Sequence, residues 1–248
     1  MKYNYIKTEC RDHVYYLTLA RPEKRNAFTP GMVDEIAQAI AEANESSNIA
    51  LVVFQAEGPV FCAGMDLKTY QDPEQDIAHS RIGKADTSLG FVMESLNKPS
   101  LAIVRGPVIA GGFLFLLGCT YVLAEENVTF RLPEVDLGIF PFQVLPGLCR
   151  ILPEKKAFQL CLDSEPFDME KAMAYGVVDG LASDAEIQKI ISSFSHTNVA
   201  MLESAMKAKR AIRTMETEDQ YRYLLTRLEE LKTMPDVKIR VNQTLKKS

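Results

Sequence analysis

The 248-residue chain has no tryptophan, only three histidines, and no excess of either charge large enough to define a partner. Lys and Arg number 28 against 33 Asp and Glu, for a net charge of −5, and the two signs are interspersed. Sequence-independent nucleic-acid binding relies on clustered cations meeting phosphates, and this balance argues against it. His13, His79 and His196 lie far apart, and the five cysteines (Cys10, Cys62, Cys119, Cys149, Cys161) lack any CxxC or Cys/His ligand spacing. No metal site is expected from such a pattern. Scattered cysteines, odd in number, fit reduced thiols and a cytoplasmic location. The first ten residues hold no apolar run and no small-residue cleavage site, so no leader peptide is expected.

Long apolar runs are scarce too. Residues 106–124 are uncharged and long enough, by length alone, to cross a bilayer. However, the stretch follows Arg105, opens with Gly106-Pro107 and is interrupted by Gly111-Gly112 and Gly118. A buried helix running into a buried strand is the expectation, with no membrane partner. What remains is an ordinary globular composition, 47% hydrophobic and 25% charged. It excludes disordered, collagen-like and coiled-coil chains and leaves one large domain, or one domain with an appendage.

Val14 to Leu19 reads as a strand, rich in β-branched, aromatic and aliphatic residues. A charged loop through Lys24 and Arg25 follows. Thr29 then caps a helix that has Pro30 at its first position. Val33, Ile36, Ala37, Ile40 and Ala41 give that helix one apolar face. Ile49-Ala50-Leu51-Val52-Val53-Phe54, Leu101 to Val104 and Tyr121 to Ala124 are short apolar runs suited to doubly buried parallel strands. Strands alternating with helices predict an α/β core over residues 1–195. Beyond it the pattern is helical over residues 196–248, with a long amphipathic helix across 199–232 that Pro235 ends.

Two segments place glycines directly after apolar strands: Phe61-Cys62-Ala63-Gly64-Met65-Asp66-Leu67 and Gly106-Pro107-Val108-Ile109-Ala110-Gly111-Gly112-Phe113. Such turns leave backbone N–H groups uncovered, and a helix opening at Gly111-Gly112 would add its positive end. Converging, two such turns would stabilise negative charge on a carbonyl oxygen.

Together with their flanks these segments carry a resemblance. Leu17-Thr18-Leu19-Ala20-Arg21-Pro22-Glu23-Lys24-Arg25-Asn26-Ala27, the Phe61–Leu67 segment, Lys98-Pro99, Gly106 with Ala110-Gly111-Gly112, Phe130-Arg131-Leu132-Pro133-Glu134-Val135-Asp136-Leu137-Gly138 and Ala172-Met173-Ala174-Tyr175-Gly176-Val177-Val178 stand in that order. The sequence resembles the crotonase, or enoyl-CoA hydratase/isomerase, superfamily over nearly its whole length. The resemblance implies a spiral of ββα units with a helical C-terminal region, assembled as a trimer or hexamer. It implies an acyl-CoA substrate, with coenzyme A as part of that substrate and no other cofactor. The thioester oxygen would be held by two backbone N–H groups. One falls within Ala63-Gly64-Met65, Ala63 ahead of Met65, and the other is Gly111. Coenzyme A would lie along Lys24, Arg25 and Ala27 and the turn of Gly64, Asp66 and Leu67. Lys246 and Lys247 resemble the family's basic end near the nucleotide.

Hydratases of the family use two glutamates. The second is kept as Glu134, after Pro133, whereas the first falls on Leu114, which can neither bind nor polarise a water. A single carboxylate suits proton shuttling, and the expected reaction is Δ3-Δ2 double-bond isomerisation. Burial among Phe130, Leu132, Phe140 and Phe142 would raise the pKa of Glu134. Phe140 and Phe142 would shape or narrow the acyl pocket, and Tyr70 with the loop of residues 71–90 would wall it. Asp136 would share the face of Glu134 if the strand continued, though a structural hydrogen bond is the preferred role. The alternatives are a hydratase with one catalytic glutamate, another enolate reaction such as decarboxylation or thioester hydrolysis, and an acyl-CoA-binding protein with little turnover.

Overall fold

The computed structural model describes residues 3–72, 74, 76 and 88–245. The chain divides into two compact units, residues 1–197 and 198–248.

In the first unit β1 (Ile6–Arg11) and β2 (Val14–Leu19) form an antiparallel hairpin. The connection then crosses over through α1 (Pro30–Glu45) to β3 (Leu51–Ala56), which pairs parallel with β2. Thr29 caps α1 by accepting from the Met32 N–H at 3.1 Å, and Pro30 stands at the first turn, as the sequence predicts. The apolar face of α1, with Met32, Ile36 and Ile40, is buried in the core. The third strand begins two residues later than the apolar run suggests, because Leu51 pairs with Val14.

After β3 come α2 (Leu67–Gln71), α3 (Leu89–Glu94) and β4 (Ser100–Val104). Next are β5 (Val108–Ile109), a 3-10 turn over Ala110–Gly112, α4 (Phe113–Gly118) and β6 (Tyr121–Ala124). The uncharged stretch 106–124 is therefore a short buried helix running into a buried strand. β7 (Phe130–Arg131) is followed by a 3-10 turn over Glu134–Leu137. Then α5 (Leu145–Leu148), α6 (Glu154–Leu162), α7 (Met169–Ala174), β8 (Gly180–Leu181) and α8 (Asp184–Ser193) complete the unit. The main sheet runs β1-β2-β3-β4-β6-β8, parallel after the first pair, and β5 pairs with β7 in a second, small sheet. The core holds Phe54, Phe61 and Phe115, with Phe115 tilted onto Phe54 and edge-on to Phe61.

The second unit holds α9 (Val199–Ala211), α10 (Thr217–Thr233) and α11 (Pro235–Leu245). The single helix expected across 199–232 is two. A 3-10 turn over Ile212–Thr214 leads to Met215 in extended conformation, and the helix restarts at Thr217. Pro235 begins α11 as well as ending α10, because proline is tolerated in a first helical turn. No helix among the described residues is long and apolar enough to cross a membrane.

Candidate active site

The two glycine-bearing turns are tied together by their backbones. Phe61 N–H donates to Pro107 O at 3.1 Å, Ile109 N–H donates to Cys62 O at 2.9 Å, and Cys62 bridges Val108 in parallel. At the contact, Gly64 has a left-handed φ of +85°, and a Cβ on it would stand 3.2 Å from the Gly111 backbone N. A Cβ on Gly111 would in turn meet the ring of Phe28 at 2.9 Å. Ala110, the non-glycine in the small run, is itself held at φ +53°, which a side-chain-bearing residue adopts at a cost of about 1–2 kcal/mol.

Hydrogen bonding separates the two candidates for the first amide donor. Ala63 N–H already donates to Arg25 O at 3.0 Å. The preference for Ala63 is therefore corrected: its N–H is occupied in holding the charged loop. Phe28 pairs with the residues on either side of Met65, donating to Gly64 O at 2.8 Å and accepting from Asp66 N–H at 2.9 Å. In a parallel bridge this turns the N–H of the intervening Met65 to the other side. Among the described residues the Met65 N–H has no acceptor, and Met65 is 42% exposed. Gly111 is the second residue of its 3-10 turn, where the first N–H groups lack an intraturn acceptor. The helix that follows has six residues, so the donors are individual amides rather than the end of a long dipole.

Asp66 is engaged within the protein. Its carboxylate accepts from Arg21 Nη1 at 2.7 Å and from the N–H groups of Lys68 and Thr69, capping α2. Burial alone would push its pKa up, but the Arg21 guanidinium and these N–H donors outweigh it and hold the carboxyl below its ordinary value. Arg21 is buried, also donates to Ala27 O at 2.8 Å, and so ties the loop to the donor turn. The sequence motif contains Arg21 without revealing this role, which depends on a partner 45 residues away. Asn26 acts similarly: it accepts from Arg21 N–H and donates to Glu57 O and Val60 O. Lys24 and Arg25 are exposed on this braced loop, Ala27 is half-buried, and Leu67 is exposed.

Glu134 stands at the start of its 3-10 turn, after the half-buried Pro133. It is 8% exposed, and its Oε2 is buried without a hydrogen-bond partner. Burial raises the pKa of this carboxyl above the ordinary glutamate value. The buried thiol of Cys161 on α6 is pushed up to about 11, first by burial and then by the Glu134 charge. Nothing along the chain points to Cys161 as a neighbour of Glu134. Phe130 and Leu132 are buried, as expected, and Phe140 is half-buried. Phe142 is 73% exposed, its ring tilted against that of Phe140 at 5.0 Å, so its burial around Glu134 is corrected. The chain turns at Gly138, with φ +72°, and carries Phe142 outward. The strand does not continue to Asp136 either. The 3-10 turn rotates Asp136 to the surface, where it accepts from Arg131 at 2.9 Å.

Leu114 lies on α4 three residues after Gly111, buried, and lines a cavity. Residues 73, 75 and 77–87 of the expected pocket wall, the side chain of Tyr70, and Lys246 and Lys247 lie outside the described residues.

A profile of the enoyl-CoA hydratase/isomerase family matches residues 9–239. The chain belongs to this family. Mouse enoyl-CoA hydratase domain-containing protein 3, a mitochondrial protein, is 26% identical over 201 residues, covering 78% of this chain and 67% of the relative. The match spans 59% of the human counterpart's length. Mevalonyl-coenzyme A hydratase sidH of Aspergillus fumigatus is 32% identical over 195 residues, covering 75% of this chain and 72% of the relative. The crystal structure of human enoyl-CoA hydratase domain-containing protein 3 superposes with a TM-score of 0.86 at 20% identity, covering 98% of both chains. The fold is thus crotonase-like, and the family binds acyl-CoA substrates.

Proposed function

We propose that the chain moves a proton between two carbons of an acyl-CoA thioester, with Glu134 as the only acid/base. The observation that carries this reading is the buried, unpartnered Oε2 of Glu134. A buried carboxylate with one oxygen left without a structural partner is a candidate proton carrier.

In this reading the thioester oxygen accepts from the N–H groups of Met65 and Gly111. The Glu134 carboxylate takes a proton from C2 of a 3-enoyl chain, and negative charge flows onto that oxygen as the dienolate forms. The same proton is then delivered to C4, and the double bond ends between C2 and C3. Each amide donor accounts for about 3–4 kcal/mol of transition-state stabilisation. Leu114 supports isomerisation because it supplies no group to hold a water at C3. Lys24 and Arg25 would meet the phosphates of coenzyme A. Exposed Leu137, Ile139, Phe142, Phe158 and Leu162 support assembly into a trimer or hexamer.

Water addition is the second reading, favoured by the sidH relative, which is named a hydratase. A paired assay separates them: crotonyl-CoA for loss of conjugation, a 3-enoyl-CoA for its gain, with Glu134→Gln in both. Gain without loss, abolished by the substitution, supports isomerisation. Fast loss with crotonyl-CoA would move the assignment to hydration, and silence in both, with CoA esters still bound, would move it to another enolate reaction or to a binding protein.

A further inference from the structure

Leu114 joins two environments. Gly111 stands three residues before it, about 5 Å along a helix axis, and beyond it opens a cavity of about 270 Å³. An acyl chain held by its thioester oxygen at Gly111 would pass Leu114 and enter that cavity within a few bonds. The volume lies at the small end of ligand pockets and suits a short chain.

The cavity is not lined as a plain alkyl slot. Leu114 and Leu117 give it an apolar side, but Ser88, Gln143, Glu94 and Arg150 also face it. Ser88 Oγ donates to Gln143 Oε1 at 2.6 Å, and Arg150 is paired with Glu94 through one guanidinium nitrogen. Among the described residues, the Gln143 amide nitrogen and the other N–H groups of Arg150 have no acceptor. Among the described lining residues the wall therefore presents donors, and its full charges are the paired Arg150 and Glu94. Gln143 and Arg150 are exposed at the mouth of the cavity, and an alkyl terminus would displace water from whichever of their donors it covers and return no acceptor. A carboxylate terminus would meet Arg150 only beside the charge of Glu94, which repels it.

We infer that the acyl group is a short chain bearing a neutral hydrogen-bonding group, a hydroxyl, a few bonds beyond the thioester carbonyl. Gln143 and Arg150 read that oxygen, and Leu114 and Leu117 cover the intervening carbons. This inference rests on the acyl-CoA enolate reading above and narrows its substrate class.

The test uses α-proton exchange in D₂O, which every enolate reaction shares. The α C–H bond breaks, the proton passes to Glu134 and then to solvent, and a deuteron returns to the same carbon. Three saturated thioesters of matched length serve as probes: 5-hydroxypentanoyl-CoA, hexanoyl-CoA and glutaryl-CoA. The hydroxylated chain should exchange about tenfold faster in kcat/KM than either of the others. Gln143→Leu should bring the hydroxyl-to-alkyl ratio close to one, and Ser88→Ala, which frees the Gln143 oxygen, should lower it as well. The ratio is read within each variant, so a general loss of folded protein does not move it. Equal or faster exchange of hexanoyl-CoA or glutaryl-CoA overturns the inference and leaves the enolate reading standing. So does a ratio that survives Gln143→Leu. Absence of exchange on all three probes overturns both.

Discussion

Gly64 and Gly111 meet where the two turns converge, and neither has room for a Cβ: on Gly111 that atom would stand 2.9 Å from the Phe28 ring. On Gly64 that atom would stand 2.7 Å from the Ala110 Cβ and 3.2 Å from the Gly111 amide nitrogen. Gly64→Ala therefore meets both a clash and a φ of +85°. The expected outcome is a stability loss of about 1–3 kcal/mol in urea melts. The loss in kcat is expected to reach about 10²–10³-fold at saturating acyl-CoA, because the two amides no longer converge. A variant with near-normal kcat would show that the Gly111 amide is not used.

Glu134 is expected to trade stability for activity. Its folded-state pKa is raised above the unfolded value of 4.5, so the folded protein holds the proton more tightly than the unfolded chain. Its stabilising contribution is complete below that value and is lost as pH rises through the folded pKa. Glu134→Gln, which cannot ionise, should be more stable than the parent at pH 7 and equal to it near about pH 4. The acid limb of kcat/KM in the parent should lie above 4.5. Melts at the two pH values, and a pH–rate profile, check both statements.

Arg21→Met removes the cation that pairs with Asp66 at 2.7 Å, the only one among the described residues, and leaves a largely buried carboxylate held by the Lys68 and Thr69 N–H groups alone. We expect a loss of about 3–5 kcal/mol at neutral pH, partly recovered by adding Asp66→Asn. Because the Asp66 pKa is lowered from 3.8, its contribution is present above that value and fades as pH falls through the folded pKa. The gap between parent and Arg21→Met should accordingly narrow in acid, as followed by urea titrations at several pH values.

Leu114→Glu restores a carboxylate one turn beyond Gly111. If the missing group is what withholds water activation, crotonyl-CoA hydration should rise by about tenfold or more over the parent. The melting temperature should fall, since the new charge is introduced at a buried position. A folded variant with unchanged hydration would remove Leu114 from the argument over reaction type.

Much of this molecule was legible along the chain. The hairpin strand Val14–Leu19, the Thr29-capped helix and the buried strand Tyr121–Ala124 follow from local propensity, capping and apolar runs, which act over a few residues. The order of the glycine-bearing motifs was enough to indicate the family and to single out Glu134, Gly111 and Leu114. The break in the helix after Ala211 was not legible, because the amphipathic pattern runs on through it.

What the tertiary structure decided is which groups are already occupied. The sequence alone ranks Ala63 ahead of Met65 as a donor, and the bond from Ala63 N–H to Arg25 O reverses that order. Asp66 acquires its role from Arg21, which is 45 residues away, and Phe142 is turned outward by the backbone at Gly138. The sequence by itself determined the elements, the family and the residue types available for chemistry. Which amide, carboxylate and cavity wall remain open to a substrate was set by long-range hydrogen bonds and burial, which depend on partners far apart in the chain.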